Sequence, residues 1–382
     1  MSLIKKYSIV GVAFIFAFLL AEALLRSFTD FPVGEDNKII DKDIGFRVSP
    51  HLRDIDIYGF RNRDDKWENY ELAAIGDSHT FGYSVFSKQS WPSQFEQMTG
   101  VQTYNYGVGG NGIFAYHKLV LDELNKGKQV IVGLYIGNDF ELTGSPCQID
   151  FQNDFWRHEV QELNLFTPTC EVTINKQSQV VQGLKNFVRI KTIPKVALLS
   201  AVYNLIYKPL MNPNINKKNN SEKSYFYIDD QIVPISKQKV KDHHYTTSLK
   251  ITDTNKQFHN FVNMIEKWDS IASERQLGIL IFPSREAVYY SWLNVLEKLN
   301  SNSNFSKLVS TQLDLEQKII DICRRLGVPI ESTLQISTQL LVKTTSLGGV
   351  DDLYPDTGHP DVRGYAVYAK AAMQLYSTMN NK

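Results

Sequence analysis

The sequence is poor in cysteine and carries no net charge, and both absences exclude classes of function. Its 382 residues include three cysteines, and none of them forms a Cys-x-x-Cys pair. The eight histidines also lack the spacing of metal ligands. Lys plus Arg number 41 and Asp plus Glu number 41, so no basic excess attracts nucleic-acid phosphates. We therefore expect no metal, no cofactor and no nucleic-acid partner.

Long apolar runs are also scarce, and the clearest one lies at the N-terminus. Lys5 and Lys6 precede a largely uncharged apolar stretch from Tyr7 to Leu25. At 1.5 Å per residue, a helix of this length is about long enough to cross a bilayer core of roughly 30 Å. The paired lysines favour a cytoplasmic N-terminus. Residues 1–26 are therefore predicted to be a single-pass anchor in the cytoplasmic membrane, with the rest of the chain periplasmic or otherwise outside.

A cleaved signal peptide is the alternative interpretation of the same stretch. Ala21-Glu22-Ala23 resembles a small-x-small cleavage site. No cysteine directly follows the apolar run, which excludes a bacterial lipoprotein signal. Both interpretations export the rest of the chain, and we favour the uncleaved anchor.

The most informative internal pattern is an apolar run that ends in Gly-Asp-Ser. Leu72–Ile75 predicts a buried strand that breaks into a turn. Gly76 allows a sharp bend, and Asp77 can accept hydrogen bonds from local amides. Ser78 is then left at the carboxyl end of the strand, where open α/β sheets bind their ligands. A serine there is a candidate nucleophile, but it needs a base, an orienting group and oxyanion donors.

Three later blocks of sequence could supply these partners. A glycine-rich block, Asn105–Gly112, follows a second strand-like run, and Gly137–Asp139 ends a third. Asp356–Pro360, with the sequence Asp-Thr-Gly-His-Pro, lies near the C-terminus. Together with Gly-Asp-Ser, these blocks resemble those of the SGNH (GDSL-type) hydrolase family. They occur in the family's order and span most of the chain from residue 72 to its end.

The resemblance implies a Ser-His-Asp mechanism. Ser78 would be the nucleophile and His359 the general base. Asp356, three residues before the histidine, would accept the other imidazole N–H and hold the productive tautomer. Asp351 and Asp352 are rival orienting carboxylates outside the family spacing.

The resemblance also implies three oxyanion donors. They are the backbone N–H groups of Ser78 and Gly110 and the side-chain amide of Asn138. Gly110 is chosen over Gly107 and Gly109 by alignment, and turn flexibility is the simpler explanation for the other glycines. The residues expected to support the site are Asp77 and Asp139.

Strand-like runs alternate with helical periodicity after Ser78, which predicts a parallel sheet with helices on both faces. The resemblance implies a three-layer α/β/α flavodoxin-like fold with five strands. The alternation fails over about 140–250, which we interpret as an insertion after the third strand. The hydrolase domain is predicted to span 71–382, with 27–70 as a juxtamembrane segment that covers its edge. The last helix is predicted to begin at about Asp361 and to turn inward Val362, Ala366, Ala369 and Met373.

The three cysteines are expected to differ in state. Cys147 and Cys170 both lie in the predicted insertion, and an exported protein can keep a disulfide between them. Cys323 lies on the inward face of a predicted helix. We expect it to be a free core thiol.

The expected function is that of a membrane-anchored serine esterase. Its substrate would be an O-acyl group, such as O-acetyl, on a cell-envelope or exported glycan, with Phe155 and Trp156 as exposed aromatics beside it. Pro283–Tyr289 resembles a Pro-Ser/Thr-Lys-Glu-x-x-Tyr stretch of membrane-anchored SGNH proteins that modify polysaccharides. Arg285 replaces the lysine of that stretch, and a simple helix start explains the same residues equally well.

Two other functions stay open. An O-acetyltransferase of an exported polysaccharide would use the same acyl-enzyme but pass the acyl group to a sugar hydroxyl. An inert glycan-binding scaffold would need no chemistry, and the complete set of Ser78, Asn138, Asp356 and His359 argues against it. The expected partners are an acylated glycan, the membrane and the envelope machinery that handles polysaccharides.

Overall fold

The computed structural model of the protein describes the chain in segments. These are residues 13–24, 38–50, 54–62, 66, 69–140, 145–168, 226–228, 231–233, 251–274, 276–295, 304–345, 353–354 and 358–381. The chain divides into two compact units. The first comprises Met1–Ile39, Val48–Gly59 and Val172–Ser221, and the second comprises Ile40–Arg47, Phe60–Glu171 and Glu222–Lys382.

The first unit contains helix α1, residues 13–24. This helix exposes Phe14, Ile15, Phe16, Leu19, Leu20 and Leu24. Across the segments that the structure describes, no helix has both the length and the apolar character that a membrane span requires. Residues 1–12 and 25–37, which include both ends of the predicted anchor, lie outside those segments.

Helices separate the successive strands of the main sheet, as the alternation after Ser78 predicts, although some helices and strands elsewhere are consecutive. The strands are β1 Lys38–Asp41, β2 Gly45–Val48, β3 Leu72–Gly76, β4 Thr103–Asn105, β5 Gln129–Tyr135, β6 Phe226–Ile228, β7 Gln231–Val233, β8 Leu277–Phe282 and β9 Ile330–Ser332. After α1, the helices are α2 Ser78–Phe81, α3 Trp91–Thr99, α4 Ile113–Asn125, α5 Asp154–Glu162, α6 Ile251–Ile271, α7 Arg285–Val295, α8 Asn304–Leu326, α9 Leu334–Thr345 and α10 Val362–Asn380.

The second unit is built on a five-stranded parallel sheet with the order β4-β3-β5-β8-β9. Numbered along the chain, this order is 2-1-3-4-5, the flavodoxin-like arrangement. In such sheets the ligand site lies at the carboxyl ends of the strands where the order reverses. Here the reversal falls between β3 and β5, which pair from Leu72↔Gln129 to Gly76↔Gly133.

Helices cover both faces of this sheet. Leu72, Ala74 and Ile131 belong to one apolar cluster with side chains of α3 and α10. Helix α4 packs against β3, β5 and α6. Because both faces are covered, every residue of β3 is buried, as expected for an internal parallel strand. The predicted α/β fold with its five-stranded parallel sheet is confirmed.

The ends of two helices agree with their sequence signals, but the inward face of one does not. Helix α3 begins after Ser90, a residue type favoured before the first turn, and ends at Gly100, a residue type favoured at helix ends, with a left-handed φ of +78°. Helix α10 begins after Asp361, whose carboxylate accepts from two backbone N–H groups of the first turn. The predicted inward face of α10 is right for Ala369, which is buried, and wrong for Val362 and Met373, which are exposed. The other buried residues of α10 include Tyr365, Tyr368, Ala372, Leu375 and Met379.

The beginning of the predicted insertion contains helix α5. Trp156 on this helix is fully buried, and its indole N–H donates to Asp43 O at 2.8 Å. The expectation that Trp156 is an exposed aromatic is therefore wrong. Most of the insertion, including 169–225 and 234–250, lies outside the described residues, so its boundaries stay a prediction.

A buried polar network joins α5 to α4 and α6. The His117 ring is fully buried, with Nε2 2.6 Å from Glu159 Oε2. Its Nδ1 accepts from the Trp268 indole at 2.9 Å, so the neutral ring carries its proton on Nε2. Lys267 lies 2.8 Å from Glu159 and 2.7 Å from Glu162. Every polar atom of the His117 ring therefore has a partner that suits the neutral form.

This network predicts an acid-dependent loss of stability. Burial lowers the pKa of His117 below 6.5, although the hydrogen bond to Glu159 opposes the shift. The stabilisation is therefore complete above about pH 6.5 and is lost as pH falls towards the folded-state pKa, by up to about 1.4 kcal/mol per pH unit. In His117→Gln, the free energy of unfolding by urea should depend less on pH below about pH 6.5 than it does in the wild type. His158→Gln, on the exposed face of α5, should keep the wild-type slope. Equal slopes in all three proteins would contradict the prediction.

The cysteines that the structure describes differ in state. Cys147 is disulfide-bonded, whereas Cys323 is free and buried. Cys170 lies outside the described residues and is the remaining cysteine of the sequence. Burial raises the pKa of Cys323 to about 12, which makes its thiol unreactive at neutral pH. The predicted core position of Cys323 is confirmed.

Candidate active site

The turn after β3 holds Ser78 at the first position of helix α2. Asp77 precedes the helix and accepts from the His79 backbone N–H at 2.8 Å. A side chain at Gly76 would collide with Thr80, because its Cβ would lie 2.1 Å from Thr80 Oγ1. The sequence Gly-Asp-Ser thus forms a tight strand-to-helix turn at the carboxyl edge of the sheet.

The Ser78 hydroxyl has two neighbours that can accept its proton. His359 Nε2 lies 2.8 Å from Ser78 Oγ, and Asp77 Oδ2 lies 3.1 Å from it. The shorter contact joins residues 281 positions apart in the sequence. Burial raises the pKa of Asp77, while the His79 backbone N–H, the nearby His359 and both Ser78 groups oppose the rise. His359 Nε2 is the closer of the two acceptors, so the geometry favours the imidazole as the candidate base for Ser78.

His359 lies in the extended stretch before α10 and is half-buried. Its ring centroid is 4.5 Å from that of Tyr83 and 5.0 Å from that of His79. Asp361 caps the helix that follows, which determines where the loop carrying His359 ends. Two aromatic rings and the start of α10 therefore hold the imidazole beside Ser78.

Asp356 is the carboxylate that the sequence predicts to orient His359. Asp356 and its rivals Asp351 and Asp352 all lie outside the described residues. The assignment of Asp356 to this position therefore stays a prediction from the Asp-x-x-His spacing.

The predicted oxyanion donors follow three adjacent strands of the sheet. Gly110 is exposed in the loop after β4 and has a left-handed φ of +79°. Asn138 is half-buried in the turn after β5, and its Oδ1 is buried without a hydrogen-bond partner among the described residues. The Ser78 N–H, Gly110 and Asn138 thus share the carboxyl edge of the sheet.

Asp139 supports the turn that carries Asn138. Its carboxylate accepts from the Tyr135 backbone N–H at 2.7 Å, and the residue is buried. Gly112 fits against the same turn, since a Cβ there would lie 2.9 Å from Asp139 O. These contacts tie the end of β5 to the start of α4.

Two residues that received no catalytic role from the sequence pack tightly against the nucleophile helix. A Cβ at Gly107 would lie only 2.2 Å from Phe81 N, so the two backbones are nearly in contact. Asn105 donates from Nδ2 to Thr80 O at 3.0 Å and accepts from Gly107 N at 2.8 Å. The Asn-x-Gly spacing was the available signal for this contact.

His79 also had no assigned role, and it forms part of an aromatic floor under the site. The residue is buried, and its ring stacks on Tyr135 with centroids 4.0 Å apart. Tyr368 Oη lies 3.4 Å from His79 Nδ1. His79 thus links Tyr135 and Tyr368 to the ring of His359, whose centroid lies 5.0 Å from its own.

The Pro283–Tyr289 stretch opens α7 at the carboxyl end of β8. Ser284 Oγ accepts from the Ala287 backbone N–H at 3.1 Å, which is a helix-start contact. Arg285 and Glu286 are both buried and pair at 3.3 Å. A helix start therefore explains Ser284. It does not explain the buried Arg285–Glu286 ion pair.

One group of described side chains has the composition of a metal site. His158, Glu159 and Glu162 bring ligand atoms within 4.8 Å of one another. Lys267 already pairs with both glutamates, so a cation there would compete with an ammonium group. The group lies on α5 and is separate from Ser78 in the fold.

Comparison with known proteins adds little to these observations. No family model and no curated protein matches the chain. Among solved structures, a lipolytic protein of the G-D-S-L family from Desulfitobacterium hafniense DCB-2 is similar with a TM-score of 0.33 and 11% identity. The match covers 80% of this chain and 99% of that one. A TM-score of 0.33 indicates neither the fold nor the function of this chain.

Proposed function

We propose that this protein is a serine esterase that works through an acyl-enzyme. The observation that carries the proposal is the 2.8 Å contact between Ser78 Oγ and His359 Nε2. A hydroxyl next to an imidazole, at the carboxyl edge of a parallel sheet, is the arrangement that activates a serine. A turn serine with no chemical role would not need a partner from the far end of the chain.

Each proposed step uses a residue of this edge. Ser78 Oγ attacks the ester carbonyl while His359 Nε2 takes the hydroxyl proton. The resulting oxyanion is stabilised by the Ser78 and Gly110 N–H groups and the Asn138 amide. His359 then gives its proton to the leaving alcohol, and the acyl group stays on Ser78. Water then attacks the acyl group while His359 takes a proton from it, and His359 returns this proton to Ser78 Oγ as the bond to the acyl group breaks and the acid leaves.

The proposed substrate is an O-acyl group, such as O-acetyl, on a cell-envelope or exported glycan. Its support is the predicted N-terminal anchor and the likeness of Pro283–Tyr289 to polysaccharide-modifying proteins. The buried Arg285–Glu286 pair opens α7 at the same sheet edge as Ser78. Trp156 is buried and therefore does not support a glycan substrate.

We also propose that the esterase domain lies outside the cytoplasmic membrane, as Lys5, Lys6 and the apolar stretch Tyr7–Leu25 indicate. An alkaline phosphatase fused to the C-terminus should then be active, whereas a reporter that works only in the cytoplasm should be silent. The reverse pattern of activity would refute the topology.

The reaction class is tested by incubating the purified full-length protein with p-nitrophenyl acetate, with and without a glycan acceptor. Release of p-nitrophenol without an acceptor is expected for an esterase. Turnover that requires the acceptor would make the protein an acyltransferase with the same acyl-enzyme. If no p-nitrophenol is released and Ser78 is not acylated under either condition, the protein would instead be an inert scaffold.

Asn138→Ala tests the oxyanion assignment. We expect kcat to fall by roughly 10²- to 10³-fold with little change in KM, because the amide would act on charge that develops in the transition state. Steady-state kinetics with p-nitrophenyl acetate measure both constants. Asn380→Ala, on an exposed residue at the end of α10, is the matched control and should behave as wild type. A rise in KM with unchanged kcat would assign Asn138 to substrate binding instead.

A further inference from the structure

Arg61, which precedes the sheet in sequence, reaches the loop that follows the nucleophile helix. Its Nη1 donates to Phe81 O at 3.2 Å and to Gly82 O at 2.5 Å, and its Nη2 donates to Val85 O at 2.9 Å. The guanidinium also lies over the Phe81 ring, 4.7 Å from its centroid. One side chain thus binds three carbonyl oxygens of a single loop.

These carbonyl groups belong to a helix end that cannot satisfy them by itself. Helix α2 has four residues, Ser78–Phe81, and ends at Gly82, whose φ of +84° is left-handed. The last carbonyl groups of any helix lack partners within it. Arg61 donates to two of these carbonyl groups, Phe81 O and Gly82 O, and also to Val85 O in the loop beyond. The helix that begins with the nucleophile is therefore held at its other end by Arg61.

Asn62 holds the same helix through a second route. Its amide pairs with the Asn105 backbone, donating to the carbonyl at 3.1 Å and accepting from the N–H at 2.9 Å. The Asn105 side chain in turn donates to Thr80 O at 3.0 Å. Arg61 therefore holds the carbonyl groups of Phe81, Gly82 and Val85 directly, whereas its neighbour Asn62 acts on Thr80 O through Asn105.

The loop held in this way contains a strained residue and a neighbour of the base. Ser84 adopts a φ of +66°, a conformation that a non-glycine residue keeps only when its surroundings impose it. Tyr83, next to it, places its ring 4.5 Å from that of His359. The same loop therefore connects the end of the Ser78 helix with the imidazole.

We propose that Arg61 is a positioning residue for the proposed esterase reaction, and the proposal rests on that function. The carbonyl groups that Arg61 binds belong to the end of α2 and the loop beyond it, and not to Ser78 or His359. It fixes the end of α2 and the Tyr83 ring, and through them the alignment of hydroxyl and imidazole. This goes beyond the structural cover that the sequence predicts for residues 27–70, since a mere cover would affect stability without affecting the reactivity of Ser78.

The test compares Arg61→Ala and Arg61→Lys with Arg325→Ala, which removes an exposed arginine paired with Glu266. Reaction of Ser78 with a fluorophosphonate is timed well below the melting temperature of each full-length protein. We expect both Arg61 variants to react about 10- to 100-fold more slowly, because small misplacements of reacting groups have effects of this size. Lysine keeps the charge but lacks the planar fork that reaches three acceptors. Arg325→Ala should react at the wild-type rate.

Chemical rescue separates positioning from loss of fold. Guanidinium chloride at non-denaturing concentration should restore part of the rate of Arg61→Ala and should not accelerate Arg61→Lys or wild type.

Wild-type rates in both Arg61 variants would overturn the proposal while leaving the esterase intact. A rate loss that matches the unfolded fraction by circular dichroism, without rescue, would also overturn it. If Arg61→Ala does not fold, Arg61→Lys decides alone, and an unreactive wild type would refute the esterase itself.

Discussion

Replacing Ser78 or His359 with alanine should lower kcat for ester hydrolysis by about 10⁴- to 10⁶-fold, and replacing both should lower it little further. The reason is that the two atoms 2.8 Å apart act as one unit. Without the imidazole the hydroxyl keeps its proton, and without the hydroxyl the imidazole has no proton to take. The free energies of the two single changes should therefore be far from additive.

The measurement is steady-state hydrolysis of p-nitrophenyl acetate by the two single variants and the double variant. Ser270→Ala and His158→Ala change the same residue types at exposed positions of the fold, and both should keep wild-type kcat. If His359→Ala retains wild-type kcat, the imidazole is not the base. If the losses add, each residue acts separately and the shared mechanism is wrong.

Gly107→Ala should lower both activity and stability, although the change adds a single methyl group. The new Cβ would lie 2.2 Å from Phe81 N and 2.6 Å from Thr80 C, and these backbone atoms belong to the nucleophile helix. Relief of the clash must shift that helix or the β4 loop. We expect overpacking to lower the free energy of unfolding by about 1–3 kcal/mol. A shift of Ser78 by about 1 Å should lower kcat roughly 10²-fold.

Gly100→Ala provides the control for this prediction. Gly100 ends α3 with a left-handed φ of +78°, and a Cβ there would meet nothing within 4 Å. The change should reduce stability because alanine disfavours this backbone conformation, yet kcat should stay at the wild-type value. Thermal melts and kinetics of both variants separate the two effects. Normal kcat in Gly107→Ala would mean that the contact with α2 does not position Ser78.

Local signals in the sequence were sufficient for the elements around the site. The apolar run before Gly76 predicts β3, and Ser90 and Gly100 predict the ends of α3. The alternation of strands and helices predicts a parallel sheet covered on both faces. Its flavodoxin-like strand order followed from the family resemblance and not from periodicity, because periodicity carries no information on which strands are neighbours.

Long-range contacts explain why other features could not be predicted. On α10, apolar spacing fits Val362 and Met373 as well as it fits the observed stripe of Tyr365 and Tyr368, and only packing against the sheet selects the tyrosines. Trp156 is buried because α5 docks through contacts such as its indole bond to Asp43. The contacts of Arg61 likewise join a segment without periodicity to the nucleophile loop, so no local pattern marks them.

The central claim is that Ser78 is a nucleophile activated by His359, and covalent labelling tests it most directly. Wild-type protein is treated with a fluorophosphonate probe, digested and examined by mass spectrometry, beside Ser78→Ala and His359→Ala. We predict one probe adduct on wild type, located on Ser78, with none on Ser78→Ala and a greatly slowed reaction on His359→Ala. An unlabelled wild type, an adduct on a different serine, or equal labelling of His359→Ala would contradict the account.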